Sequence, residues 1–557
     1  MRLRSLIKNV LGEIPFSAEI HWALRKGKFD FRFNLKELEA NLDQLIHDLE
    51  SLPTAELSGK KVFIFVATHY WLEQAIQMGF AMTGLGDRVT VGYLATSSWS
   101  KGINRYDLRL QNIYAKSILQ RTRPWLETIS LVDVRGKRSL PKELQRNVGQ
   151  VTFIDTQYVY QDENVSKDSP VHAMRRKCNQ AAARTALAYL QKHRPDVVVI
   201  PNGMILEFGA VYEVARYLGI PTVTYEYGDA ANHIWISRDL PVVRHATDEL
   251  WEARKSIRLD DNQKRWLSAF FLRRQKPAAD EDFIWLSQPA DPQGGTGIRA
   301  RLGLDSRPVV VLATNVLGDS LTLDRQVFSA SMIEWLKRTI TYFLGHPEVQ
   351  LVIRIHPGET IMVGPASANE VVRQVLTNCP EHIHVIGARD PVNTYDLMEA
   401  TDLGLVYVTT AGLEMAARGI PVIVGGRTHY RGRGFTLDPD TWENYFAMLD
   451  DTLVRLPYRL SREQLELAWM YAYLFFRVFP QPFPWHLAKR WQDYTERPLR
   501  YVLTDGLPLY SATFRYLTGE RIPWSEIKQD EISPDIDVAN SISMAGDYLR
   551  TQQEDEP

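Results

Sequence analysis

KKVFIFVATHYWLEQAIQMGFAMTGLGDRVTVGYLA, from Lys60 to Ala95, carries two β-branched and aromatic runs separated by a helical pattern and a Gly-Leu-Gly-Asp turn. That succession predicts a βαβ unit, because two strand-length apolar runs joined by a helix-length amphipathic segment need a crossover between parallel strands. Working outward, further strands are expected at ISLVDV (Ile129 to Val134), VTFID (Val151 to Asp155), DVVVIPNG (from Asp196) and IPTVTYEYG (from Ile220). Helices are expected from Val171 to Lys192 and from Leu206 to Leu218. Gly219, followed by Ile-Pro and a strand, gives the second a normal stop.

A second run of the same kind follows a looser, Gly-rich stretch that includes DPQGGTG. Its strands read PVVVLATN (from Pro308), VQLVIRIHP (from Val349), HIHVIG (from His382), DLGLVYVTT (from Asp402) and IPVIVGG (from Ile420). Near-continuous Val/Ile/Leu strands alternating with helices imply parallel sheets covered on both faces. The expected fold class is therefore α/β, with two doubly wound Rossmann-type domains facing a cleft at the carboxyl ends of their strands. Helical N- and C-terminal extensions flank them. The boundaries expected are 1–58 for the N-terminal extension, 59–272 for the first domain, 273–306 for a linker and 307–455 for the second domain. A helical region at 456–524 and an acidic, mobile tail at 525–557 complete the chain.

Bulk composition narrows the class. At 557 residues the chain exceeds what one core organises. A net charge of −2 gives no general attraction to nucleic acid. Cys178 and Cys379 stand far apart without CxxC spacing, which argues against a disulfide framework or a cysteine zinc site and fits a reducing, cytoplasmic setting. No long uninterrupted apolar stretch predicts a transmembrane helix. In MRLRSLIKNVLGEIPF, Lys8, Glu13 and the later Glu19 interrupt what a signal peptide would require, so the segment reads as a short basic amphipathic helix. The aromatic stretch from Trp469 to Trp491 reads either as a buried helix with a Pro-rich turn or as a surface resting on a bilayer.

Candidate chemistry gathers at strand ends. In VIRIHPGE, Arg354 and His356 stand where a strand runs out, and Pro357 holds His356 in an extended turn; both side chains suit a phosphate, with a purely structural turn as the alternative for His356. After the strand Leu403 to Val408, Thr409 and Thr410 precede a helix containing Glu414. Hydroxyls and unpaired N–H groups there suit an anion, although a simple N-cap has the same appearance. The loop GGRTHYRGRGFTLD adds Arg427, Arg431 and Arg433 among glycines, either as diphosphate forks or as a solvated basic loop. In VTYEYGDAANHIW, Glu226, Asp229 and His233 lie just past a strand end. Glu226, close to Gly228, is the better general base, with an N-cap or ion-pair role as its alternative. His69, in VATHYW, is an acceptor-side candidate together with Asp229 and His233, and Asn315 and Asp319 are expected to line the second domain's site.

With these residues assembled, the sequence resembles the capsule polysaccharide biosynthesis glycosyltransferases of bacteria, a GT-B group. It is distantly similar to the bacterial Kdo transferases and sialyltransferases that share a His-Pro motif. RIHPGE, VTTAGLEMAARGIPVIVGG, HYRGRGFT and YEYG carry the likeness, which is clearest from Pro195 to Asp239 and from Pro308 to Thr436. The resemblance implies that His356, Thr409 and Thr410 bind the phosphate of a nucleotide-sugar donor and that Glu226 is the catalytic base. It also implies that Glu414 serves the donor's ribose or sugar. Tyr227 departs from the group's usual second acid before the glycine. The acceptor side falls to the first domain and the donor side to the second. No DxD sits in a strand-end setting, and Asp438-Pro439-Asp440 reads as a turn. The expectation is thus a metal-independent transferase with no cofactor. Its partners would be a nucleotide sugar, a glycan or lipid-linked acceptor, and the inner face of the cytoplasmic membrane or a polysaccharide assembly complex. Two alternatives use the same fold: a nucleotide-sugar epimerase or hydrolase, and a non-catalytic assembly component.

Overall fold

The computed structural model describes residues 2–25, 33–53, 59–96, 99–228, 230–275, 288, 290–361, 364 and 367–526. Twelve strands occur among them. In chain order they are β1 (Lys61–Ala67), β2 (Arg88–Leu94), β3 (Glu127–Ser130), β4 (Val197–Pro201), β5 (Thr222–Glu226), β6 (His233–Arg238), β7 (Val309–Ala313), β8 (Gln350–Arg354), β9 (Ile383–Ile386), β10 (Leu403–Val406), β11 (Val422–Val424) and β12 (Gln481–Pro482).

The chain divides into two units, the first made of Met1–Tyr160, Val165–His245 and Gln481–Ile522. Its sheet runs β12-β6-β5-β4-β1-β2-β3. The β1–β5 ladders are parallel, whereas β6 and β12 add antiparallel at one edge. β1 and β4 have every residue buried but the first of β1, as a strand covered on both faces must. The order reverses between β4 and β1, leaving a crevice at their carboxyl ends.

The second unit comprises Gln161–Asn164, Ala246–Pro480 and Pro523–Pro557. Its all-parallel sheet runs β11-β10-β7-β8-β9 and reverses between β7 and β10. The two doubly wound sheets expected from the βαβ pattern are both present.

Several local expectations are corrected. Val151 to Asp155 is not a strand but part of the helix Lys142–Tyr160, whose buried positions Leu144, Val148, Val151 and Asp155 recur at helical spacing. β3 begins two residues before Ile129 and ends at Ser130, and Leu131 onward forms a turn. β6 was not foreseen. The 273–306 stretch contains the helix Gly294–Leu302, whose first N–H groups are held by Asp396 and Glu399. Much of that stretch, and the 525–557 tail beyond Glu526, lies outside the described residues.

Boundaries shift too. Residues 246–272 belong to the second unit, and the 456–524 region is divided between the units at Pro480. The returning segment completes the first core. Phe483, Trp485, Phe514 and Leu517 are buried in it, Gln74 Nε2 donates to the Trp485 carbonyl at 2.8 Å, and Lys60 Nζ donates to the Thr518 carbonyl at 2.8 Å. The aromatic stretch is thereby read as core: Tyr471, Phe475, Phe479, Phe483 and Trp485 are all buried. No described helix is long and apolar enough to cross a membrane.

Candidate functional site

In the second unit, the candidate residues cluster where the sheet order reverses. Thr314 and Asn315 follow β7, and Tyr407 to Thr410 follow β10. Asn315 Oδ1 accepts the Val408 N–H at 3.2 Å, which ties the two strand ends together across the switch point. Thr314 Oγ1 accepts the His356 backbone N–H at 3.0 Å, fixing the turn beyond β8. The Gly358 N–H then donates to His356 Nδ1 at 3.0 Å. A nitrogen that accepts carries no proton, so in the neutral ring the hydrogen sits on Nε2, which becomes a donor. Gly358 is needed here, because a Cβ on it would lie 2.9 Å from that Nδ1.

Thr409 and Thr410 are half-buried, and Thr409 Oγ1 accepts the Ala411 N–H at 3.3 Å. The helix they precede is short, Ala411–Ala416, and Thr410 makes no side-chain cap bond. Tyr430 Oη donates to the Thr409 carbonyl at 2.7 Å. Tyr471 Oη donates to the His429 carbonyl at 2.7 Å and also meets Thr247 Oγ1 at 2.7 Å. The HYRGRGFT loop therefore braces the Thr409–Thr410 turn from behind.

Other residues expected at the donor are committed elsewhere. Arg354 is buried; its Nη1 donates to the Gly387 carbonyl at 2.6 Å and its Nη2 to the Val392 carbonyl at 3.3 Å. Burial lowers its pKa to about 10. Arg431 donates to the carbonyls of Val424, at 3.1 Å, and Pro439, and burial lowers it as well. Glu414 is an ion-pair residue: it meets Arg274 at 3.1 Å, with both side chains only 3% exposed. These three hold loops and a helix together, since a buried charge must find a partner. Asp319 shapes a turn, accepting the Leu321 N–H at 3.2 Å and the Ser320 hydroxyl at 3.4 Å, and burial raises its pKa. Arg433 pairs with Asp248, while Arg427 is exposed.

In the first unit, the carboxyl ends of β1, β4 and β5 lie side by side in the sheet. Glu226 closes β5 half-buried; its Oε1 accepts the Tyr227 N–H at 3.1 Å and its Oε2 accepts Asn202 Nδ2 at 3.2 Å. Asn202 follows β4 in the left-handed region (φ 59), a conformation Asn tolerates better than most residues. Gly203 (φ 86) follows it, and a Cβ there would meet Thr224 Cγ2 at 2.6 Å. In the sequence, the PNG turn that closes β4 is the signal that points to Asn202. Tyr70, in the first turn of the helix His69–Gly84, has a pKa raised by burial, partly relieved by a hydrogen bond to Thr68, with the Glu226 carboxylate raising it further.

His69 opens that same helix. Its Nδ1 is buried without a hydrogen-bond partner, and its pKa is lowered by burial and then by Arg490, against a smaller upward pull from Glu37. His233 begins β6 and reaches the same sheet edge because β6 runs antiparallel to β5. Tyr227, in place of the second acid, is a core residue packed on Trp71 and, at 4.8 Å between rings, on His486. Asp229 lies outside the described residues. Among the described residues, no group of three or more His, Cys, Asp or Glu is placed to hold a metal ion.

No protein-family profile matches the sequence, and no curated protein matches it. Solved structures do. The beta Kdo 2,4 transferase KpsC of Thermosulfurimonas dismutans is similar at a TM-score of 0.33 and 14% identity, over 52% of this chain and 82% of that one. The UDP-GlcNAc 2-epimerase of Methanocaldococcus jannaschii, in complex with UDP-GlcNAc and UDP, is similar at 0.26 and 12%, over 73% and 97%. The glycosyltransferase VinC, in complex with dTDP, is similar at 0.23 and 13%, over 81% and 100%.

Proposed function

We propose that this chain is a glycosyltransferase that moves a sugar from a nucleotide-sugar donor to a surface polysaccharide or its lipid-linked precursor. The observation that carries the reading is the His356 turn. A neutral imidazole, its Nδ1 capped by Gly358, presents Nε2–H as a donor beside the switch point of a parallel sheet. Together with the Thr409 and Thr410 hydroxyls, it suits the phosphate of a nucleotide.

In transfer, the acceptor hydroxyl oxygen bonds to the anomeric carbon as the bond from that carbon to the phosphate oxygen breaks. A base takes the hydroxyl proton, and the nucleotide leaves with the bonding pair; within the first unit, Glu226 is the residue suited to be that base. Asn202 orients the carboxylate by donating to it. His356 Nε2–H and the Thr409–Thr410 turn stabilise the charge on the leaving phosphate, the task a divalent metal performs elsewhere.

The test is a thermal-midpoint screen against UDP, GDP, CMP, dTDP and ADP, because a ligand bound only by the folded state raises the midpoint. One nucleotide should raise it, and His356→Ala and a Thr409→Ala/Thr410→Ala double variant should lose the shift. No shift with any nucleotide overturns the donor site. Turnover of the donor that needs no acceptor replaces the transferase with an epimerase or hydrolase. Activity abolished by a chelator removes the metal-independent mechanism.

A further inference from the structure

The first unit begins with a helical hairpin, Arg2–Glu13 and Ser17–Leu24, seated on the helix Arg105–Leu119. One side of the hairpin packs inward, where Leu11, Ala18 and Trp22 meet Tyr106, Leu110 and Ile113. The other side is the reverse of an ordinary surface helix. Ile7, Val10, Ile14, Phe16, Ile20 and Leu24 are between 47% and 78% exposed. Their spacings of three or four place 7, 10 and 14 on one helical face and 16, 20 and 24 on the next. Single exposed apolar residues need no explanation, but six in one hairpin mark an interaction surface. Phe16, the residue between the helices, sits in the left-handed region (φ 59), an outlier for an aromatic.

Charge decides the occupant. The first 28 residues hold Arg2, Arg4, Lys8, Arg25, Lys26 and Lys28 against two acids, Glu13 and Glu19, in a chain whose net charge is −2. Both acids are neutralised from below, Glu13 by Arg105 and Glu19 by Arg109 at 2.6 Å, and of the basic residues Lys8 is paired with Asp107 at 2.9 Å. Arg109 Nη1 also donates to the carbonyls of Gly12, at 3.0 Å, and Ile14, at 2.9 Å, so the hairpin is fixed by its back. A second copy would bring like charges together, whereas an anionic lipid surface satisfies both the apolar strip and the basic residues.

We infer that this hairpin is an interfacial anchor that lays its apolar strip into the headgroup boundary of a bilayer containing anionic phospholipid. Vesicle binding of this kind needs neither His356 nor Glu226, so it stands or falls independently of sugar transfer.

The test is flotation of the full chain with vesicles of phosphatidylcholine alone and of phosphatidylcholine with an equal part of phosphatidylglycerol. The chain should float with the anionic vesicles only. A Phe16→Ser/Ile20→Ser/Leu24→Ser variant should bind at least about tenfold more weakly while keeping its thermal midpoint, since the three side chains are exposed. Arg2→Gln and Arg4→Gln should weaken binding by about fivefold per charge at low salt. No flotation, equal flotation with neutral vesicles, or an unchanged triple variant overturns the inference. So does light scattering that finds a dimer in the wild type and a monomer in the triple variant, which would give the strip to a second copy.

Discussion

His356 owes its donor character to one backbone N–H. The Gly358 N–H fixes Nδ1 as the acceptor and leaves the hydrogen on Nε2. A hydrogen bond to a charged phosphate contributes roughly 1.5–3 kcal/mol, so His356→Ala should weaken nucleotide binding by about tenfold or more in calorimetry. A change below twofold would relieve His356 of that role. Glu226→Gln should act on the other side of the reaction, lowering kcat by roughly two to four orders of magnitude while leaving the nucleotide Kd unchanged. A parallel loss of nucleotide affinity would show Glu226 to be structural. Gly412 and Tyr430 form a coupled pair: a Cβ on Gly412 would collide with Tyr430 Oη and stand 2.8 Å from Val406 Cγ2. Gly412→Ala should therefore cost about 1–3 kcal/mol of stability and loosen the Thr409 turn. Adding Tyr430→Phe removes the colliding hydroxyl, so the double variant should recover part of the loss in thermal melts. Strict additivity would dismiss the coupling. The placement of His356, Thr409, Thr410 and Glu226 at strand ends was legible because strand ends announce themselves in apolar runs. The fates of Arg354, Arg431 and Glu414 were not, because only packing shows which carbonyl or counter-ion a buried charge has found.

Elements were legible in proportion to their periodicity. The Val/Ile runs of β1, β4, β7 and β8 stand out because a strand buried on both faces has no polar positions to interrupt it. VTFID misled for the same reason: a short apolar run fits a strand or one side of a helix equally well, and only the longer spacing to Leu144 and Val148 separates them. β12 is two residues long and carries a proline at the sheet edge, too little for any periodicity to register. Yet the segment it begins is essential to the first core. Trp485 is fully buried, with its indole N–H donating to the Arg497 carbonyl at 2.8 Å. Trp485→Ala should destabilise the first unit by about 3–5 kcal/mol. In urea unfolding followed by hydrogen exchange, the β1 and β4 amides should lose protection before those of β7 and β8. Equal loss in both sheets would mean that the returning segment does not belong to the first unit's cooperative core.

At the scale of the whole molecule, acid response follows from buried and half-buried histidines. His172 is lowered mainly by burial, then by Arg176 and Lys167, and His69 and His384 are lowered mainly by burial as well. The unfolded chain takes up these protons first, at about pH 6.5, so the stability each neutral ring contributes is lost as pH falls below that value. Buried carboxylates such as Glu73 and Asp155 are raised and act with the opposite sign, adding stability as pH falls from their raised folded values toward the ordinary carboxylate range. The thermal midpoint should therefore fall between about pH 7 and pH 6, and His172→Gln should flatten that slope. Identical slopes would remove His172 from the account. Two sheets were visible in the sequence, but the allocation of chain to them was not, since linear order says nothing of a return.

That return has a consequence in time. The strands of the first sheet are all synthesised by Arg238 except β12, and the residues that close its core run on to Leu517. About 280 residues separate Arg238 from Leu517, which a ribosome emitting about 5–20 residues per second takes about 14–56 s to produce. Throughout that interval the nascent first unit keeps an open apolar face while the second unit is still being made. The first unit cannot complete its core until the whole of the second unit's main segment, Ala246–Pro480, has been synthesised.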